Sequence, residues 1–137
     1  MGKVVTFGEI MLRLNPPGFL RFGQAGSFEV SFGGGEANVS ASLAGFGIET
    51  DFVTRLPKND LGDACLAYLR RYGIGTSKIL RGGSRIGIYF LENGAVQRGS
   101  KVIYDREGSS IATIQKGMLD WDAIFAGLTV FGMDFFN

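Results

Sequence analysis

Histidine is absent from this chain of 137 residues, which excludes histidine triads, imidazole acid–base chemistry and histidine metal sites. Cysteine occurs once, as Cys65, so no internal disulfide forms and a reducing, cytoplasmic setting fits. Long apolar runs are missing as well. The longest uncharged apolar stretch, 123–133, falls well short of the roughly 20 residues that a membrane span needs. No secretory leader is visible, because Met1-Gly2-Lys3 runs straight into a strand-like segment. That strand also explains the loose acylation pattern of Met1-Gly2 with Thr6. Asn38-Val39-Ser40 is a glycosylation sequon, which carries no meaning without an export signal. Neither sign of charge dominates. A net charge of +1 gives no electrostatic reason to expect nucleic acid or an anionic membrane as partner.

What is present is ordinary globular composition, 45% apolar and 20% charged, in a length that suits one domain. Glycine is the exception, with 22 residues. Glycine permits positive φ and close approach of the backbone to a ligand, so this enrichment points to tight turns and a backbone-lined site.

Val4-Val5-Thr6-Phe7 reads as a buried strand ended by Gly8, and Pro16-Pro17-Gly18 as a turn. Phe28, Val30 and Phe32 alternate with Glu29 and Ser31, which predicts a strand with one buried face. Gly33-Gly34-Gly35 breaks it, and a small-residue helix follows over 36–46 with Ala37, Ala41 and Ala44 on one face. Asp51 to Thr54 is the next strand, so the order suggests a parallel crossover. A second helix is expected from Leu61 to Tyr72, capped by Asp60 and ended by a left-handed Gly73. Its apolar face reads as Leu61, Ala64 or Cys65, Tyr68 or Leu69, and Tyr72. Arg85 to Leu91 alternates again, Asn93-Gly94 signals a turn, and Lys101 to Arg106 returns. Residues 75–106 therefore read as antiparallel sheet inserted into an α/β chain.

Chemistry has two candidate locations. The triple glycine lies between a strand and a helix, where backbone N–H groups can face a polar or anionic ligand and Asn38 can add its amide. A tight turn against a small-residue helix explains the same residues, and composition alone favours that simpler reading. Phosphate-loop and dinucleotide patterns fail, since no G-x-x-x-x-G-K-[ST] occurs and Asn38 stands where G-x-G-x-x-G needs its last glycine. The second location is Tyr104-Asp105-Arg106. Residues two apart on a strand share a face, so a phenol and a guanidinium project together and suit a ligand with hydroxyls and a carboxylate. Tyr89 on the preceding strand can join them, although a surface Arg–Tyr pair is the plain alternative. Cys65 reads as a core residue, and Asp60 and Asp63 as first-turn helix acids, so no metal ligand and no catalytic residue is assigned.

Taken in order, Gly8-Glu9, the Gly33-Gly34-Gly35-Glu36-Ala37-Asn38-Val39-Ser40 segment, Leu43-Ala44-Gly45-Phe46-Gly47 and Leu56-Pro57-Lys58-Asn59-Asp60-Leu61-Gly62 resemble the start of a PfkB (ribokinase-like) carbohydrate kinase. Arg85 to Glu92 and Tyr104 to Ser110 resemble the 2-keto-3-deoxygluconate kinases of that family in particular. The resemblance implies an α/β chain, the N-terminal part of a three-layer, Rossmann-like fold, with a small β-sheet lid from about 12–32 and 75–106. It also implies a small-molecule sugar acid as ligand. Gly34, Gly35, Asn38, Tyr89 and Tyr104 would contact it, and Arg106 would hold its carboxylate. Two positions depart from the family pattern. Arg13 stands where many neutral-sugar kinases have aspartate, and Pro57 where many members have glycine.

The resemblance runs through about Trp121 and Asp122 and then fades, leaving 123–137 as an atypical tail with Phe131, Phe135 and Phe136. The family's catalytic base, anion hole and nucleotide pocket lie beyond that point. ATP and Mg²⁺ therefore belong to the intact family enzyme, and this chain alone is expected to bind neither and to turn nothing over. A frameshift near Ala123 to Ala126 would account for the tail. Two other readings remain open: a fragment of a fructokinase-like or other PfkB sugar kinase, and a non-catalytic sugar-binding or dimerisation remnant. A homodimer through the β lid is the oligomeric expectation, with neither nucleic acid nor membrane as partner.

Overall fold

The computed structural model describes residues 2–133. In chain order its elements are β1 (Lys3–Phe7), β2 (Met11–Asn15), β3 (Glu29–Gly33), α1 (Gly35–Gly45), β4 (Thr50–Val53), β5 (Arg55–Leu56), α2 (Asp60–Arg71), β6 (Leu80–Arg81), β7 (Ile88–Glu92), β8 (Lys101–Asp105), α3 (Trp121–Phe125) and β9 (Leu128–Met133).

β1 is the central strand of a parallel sheet, between β4 and β9. Successive strand residues face opposite sides. Val5 of β1 and Val53 of β4 accordingly pack on one side with Ile124 of α3. Phe52 lies on the other, in a core with Ala37 of α1 and Cys65, Leu66 and Leu69 of α2. Helices on both faces of a parallel sheet make three layers. Small residues let α1 sit close to the sheet, where Thr6 Oγ1 and Ser40 Oγ share a buried hydrogen bond of 2.6 Å.

α2 is strongly amphipathic, but its buried residues are Gly62, Cys65, Leu66 and Leu69. Leu61 and Tyr72, expected on the apolar face, are exposed. The cap is Asn59 rather than Asp60. Asn59 has an extended backbone, so its side-chain oxygen accepts from Gly62 N at 3.0 Å, whereas Asp60 is already inside the helix. Gly73 takes the left-handed conformation after the helix, at φ +78°.

The second sheet has the order β3-β2-β7-β8. β2–β3 and β7–β8 are antiparallel, but β2 and β7 run parallel, and β6 pairs in parallel with β5. The excursion is therefore not wholly antiparallel. The long connection through α1, β4 and α2 gives the chain room to return in the same direction. The β7–β8 reversal falls at the Ala95–Arg98 bridge, with Val96 at φ +51°, and not at Asn93-Gly94. Asn93 instead donates its amide to the Gly18 carbonyl at 3.0 Å, tying the two lid segments together. β3 is buried only at its Phe32–Gly33 end, because the sheet extends away from the helical core. Val30 is 64% exposed, and Phe28 packs edge-on against Phe90 at 5.8 Å.

Within the stretch read as a tail, Ile124 is buried and β9, which includes Phe131, pairs with β1. Phe135 and Phe136 lie outside the described residues, as does Met1. No helix among the described residues is long and apolar enough to cross a membrane.

Candidate functional site

The chain leaves β1 through Gly8 and Glu9 and passes beneath the junction of β3 and α1. Gly34 joins strand to helix with an extended backbone, φ −178° and ψ 147°, so positive φ is not what glycine supplies here. Space is. A methyl group on Gly34 would collide with the Glu9 carbonyl, and one on Gly33 with the Tyr89 hydroxyl.

Above this turn lies a cavity of about 230 Å³, lined by Gly33, Gly34 and Gly35, by Asn38 in the first turn of α1, and by Tyr89, Tyr104 and Met11. Tyr89 and Tyr104 stand directly opposite each other in the β7–β8 ladder, with ring centroids 6.2 Å apart. Five of the sequence-predicted residues, Gly34, Gly35, Asn38, Tyr89 and Tyr104, thus surround one space.

Arg106 is placed differently. Its guanidinium carbon lies 5.1 Å from the centroid of the Tyr104 ring, yet the side chain lines a neighbouring cavity of about 370 Å³ with Glu9, Ser109 and Ile111. Tyr104 lines the first space and lies beside the guanidinium that lines the second.

Glu9 is a site residue that pattern reading misses. It is 8% exposed. Ser109 donates its hydroxyl to Oε2 at 2.8 Å, and Arg106 Nη1 approaches Oε1 at 3.4 Å. Burial pushes its carboxyl above the usual range, while the Ser109 hydroxyl and the Arg106 and Arg85 charges pull it back only in part. One signal was available: Glu9 is the sole charge between Lys3 and Arg13. Met11 also lines the cavity without having been singled out.

A larger cavity of about 520 Å³, between Phe7 and Trp121, is mainly apolar, with Gln115 and Lys116 as its polar lining side chains. Cys65 is fully buried, and burial pushes its thiol up to about 12, as befits a core residue. Among the described residues no group of three or more acidic, cysteine or histidine side chains could hold a metal ion. No lysine among the described residues lines the glycine-floored cavity.

The sequence profile of the pfkB family carbohydrate kinases matches residues 1–129. This chain belongs to that family. The match passes Asp122, where the sequence resemblance fades. The crystal structure of 2-dehydro-3-deoxygluconokinase from Thermotoga maritima superposes on this pfkB chain with a TM-score of 0.95 and 54% identity, over 97% of this chain and 41% of that one. The fold is accordingly ribokinase-like. A 2-dehydro-3-deoxygalactonokinase of Haloferax volcanii is 33% identical over 89% of this chain and 38% of its own length. A 5-dehydro-2-deoxygluconokinase of Clostridium beijerinckii is 27% identical over 77% and 32% respectively. The chain therefore spans well under half the length of the relatives it matches.

Proposed function

We propose that this chain forms the sugar-acid side of an ATP-dependent pfkB kinase that phosphorylates 2-keto-3-deoxygluconate in the cytoplasm. The observation that carries the reading is the row Tyr89–Tyr104–Arg106 beside the glycine-floored cavity. Two phenols and an amide suit the hydroxyls of an open-chain sugar, and a guanidinium suits its carboxylate. Support also comes from the 54% identity to a protein named for that substrate.

Gly34 and Gly35 let the ligand lie against backbone. Asn38, Tyr89 and Tyr104 orient it, and Arg106 draws the carboxylate toward the boundary between the two cavities. The residue that takes the hydroxyl proton, the nucleotide pocket and the metal are assigned to the length that the relatives carry beyond this match. Alone, the 137 residues bind the sugar acid and transfer no phosphoryl group. The lid's last strand, β8, is exposed along its whole length. An open strand edge invites pairing, and we assign it to a homodimer.

Calorimetric titration with 2-keto-3-deoxygluconate and with its neutral analogue lacking the carboxylate tests the reading. The acid should bind at least about tenfold more tightly, in line with one charge-assisted contact. Arg106→Ala should erase that preference. Equal affinity for both ligands would overturn the assignment, and substrate-dependent ADP release by this chain would overturn its inertness.

A further inference from the structure

Among the described residues three acidic side chains are buried, and two are accounted for by the fold. Asp51 lies between Lys3 and Lys78, each at 2.7 Å. Glu92 accepts the Phe22 N–H at 3.0 Å and fastens the loop before β3 to the lid. Glu9 differs, because it touches both halves of the candidate site.

We infer that Glu9 is the positioning residue that sets the Arg106 guanidinium for the substrate carboxylate, an inference that rests on the sugar-acid reading above. Its backbone carbonyl lies against Gly34, in the cavity floor, while its side chain faces Arg106. The carboxylate is itself fixed. Ser109 holds Oε2 at 2.8 Å, and a side chain at Gly87 would come within 2.7 Å of the same oxygen, so only glycine leaves it room. The same added carbon would lie 3.0 Å from Arg106 Cβ, so Gly87 admits both side chains at once.

Arg106 is therefore mounted between a carboxylate at its edge and the Tyr104 ring at its face. A free arginine has many rotamers, and ordering them on binding weakens affinity; a side chain ordered in advance avoids that loss. The plain alternative is a stabilising salt bridge. Two facts argue against it. Buried ion pairs add little net stability, and 3.4 Å is long beside the roughly 2.7–2.9 Å of a tight charge-assisted bond.

Titration of the wild-type chain, Glu9→Gln, Arg106→Ala and the double variant with 2-keto-3-deoxygluconate tests the inference. Glu9→Gln keeps size and the Ser109 bond but removes the charge. Each single variant should lose at least tenfold in affinity, and the double variant should bind within twofold of Arg106→Ala, since Glu9 acts through Arg106. Binding by Glu9→Gln within twofold of wild type, or losses that multiply, would overturn it. Failure of the wild-type chain to bind, or an Arg106→Ala variant that binds normally, would instead bring down the sugar-acid reading. Positioning is then judged without ligand, by ¹⁵N NMR of the Arg106 Nε–H group. A dispersed signal should move to the averaged position of free arginine in Glu9→Gln. A signal unchanged by the substitution, or already averaged in the wild type, would overturn the inference. If Glu9→Gln does not fold, Ser109→Ala, which releases Oε2, takes its place in both measurements.

Discussion

The Tyr89 hydroxyl occupies the place that a side chain on Gly33 would need, and the next ring atom, Cζ, would lie 3.4 Å from an added methyl carbon. The obstruction is thus the hydroxyl and little else. Gly33→Ala should destabilise the chain by about 1–3 kcal/mol, the usual cost of overpacking. Tyr89→Phe in the same background should restore most of that loss. Urea unfolding of the two single variants and the double variant measures it, and additive losses would show that the backbone, not the phenol, sets the limit.

Gly34 offers no such remedy. A methyl group there meets the Glu9 carbonyl and then Ile10 Cα at 3.3 Å, all backbone. Gly34→Ala must push the exit of β1 away from the turn, so it should destabilise by more than Gly33→Ala and resist rescue by any side-chain change. Circular dichroism melts of the paired variants would check the order. A Gly34→Ala chain as stable as wild type would mean that the junction is looser than its packing indicates.

Much of this arrangement is legible in the sequence where local physics decides it. β1 and β4 follow from short apolar runs, α1 from its small residues, α2 from apolar periodicity, and the Gly33–Gly35 break from the absence of side chains. Tyr104 and Arg106 share a face because strand period is two, and their proximity is visible at 5.1 Å. The rest depends on distant partners. Nothing near β2 says that it will run parallel to β7, and nothing near Val30 says that the lid leaves the core before reaching it. Asn59 outcompetes Asp60 as cap by one residue of register. Glu9 gains its meaning only when Ser109 and Arg106, about a hundred positions away, fold against it.

Asp51 should make the chain sensitive to acid. Burial alone would raise its carboxyl, but hydrogen bonds and charge from Lys3 and Lys78 outweigh that and hold it below its ordinary 3.8. A depressed native value means that this stabilisation is complete above 3.8 and is lost as pH falls through the native value. Asp51→Asn should therefore cost about 1–3 kcal/mol at neutral pH, and the gap to wild type should close in strong acid. Denaturant titrations at both pH values measure this. A gap that persists in acid would assign the effect to packing.

Cys65 should serve as a reporter of unfolding. With the thiol inaccessible and pushed up to about 12, the native chain should not react with a thiol reagent at pH 8, whereas the unfolded chain should react at once. The labelling rate in native buffer then reports how often α2 opens from the sheet. Rapid labelling without denaturant would show that this core is not closed.

Glu9 should behave in the opposite sense to Asp51. Burial raises its carboxyl above the ordinary 4.5, and Ser109, Arg106 and Arg85 offset that only in part. The native chain then holds this proton more tightly than the unfolded one. Stability declines as pH rises from 4.5 through the native value, and the ionised carboxylate works against folding at neutral pH. Glutamine at this position keeps an acceptor for Ser109 and carries no charge. Glu9→Gln should accordingly be at least as stable as wild type at pH 7.5, with any advantage shrinking as pH is lowered toward 4.5. Urea unfolding across that range decides it. A variant that loses more than about 1 kcal/mol at pH 7.5 would make the carboxylate a stabilising tie, since a net loss of that size is what a useful hydrogen-bonded charge contributes. Equal or greater stability, joined to weaker binding of the sugar acid, marks a charge that the fold tolerates for the sake of the arginine it aims.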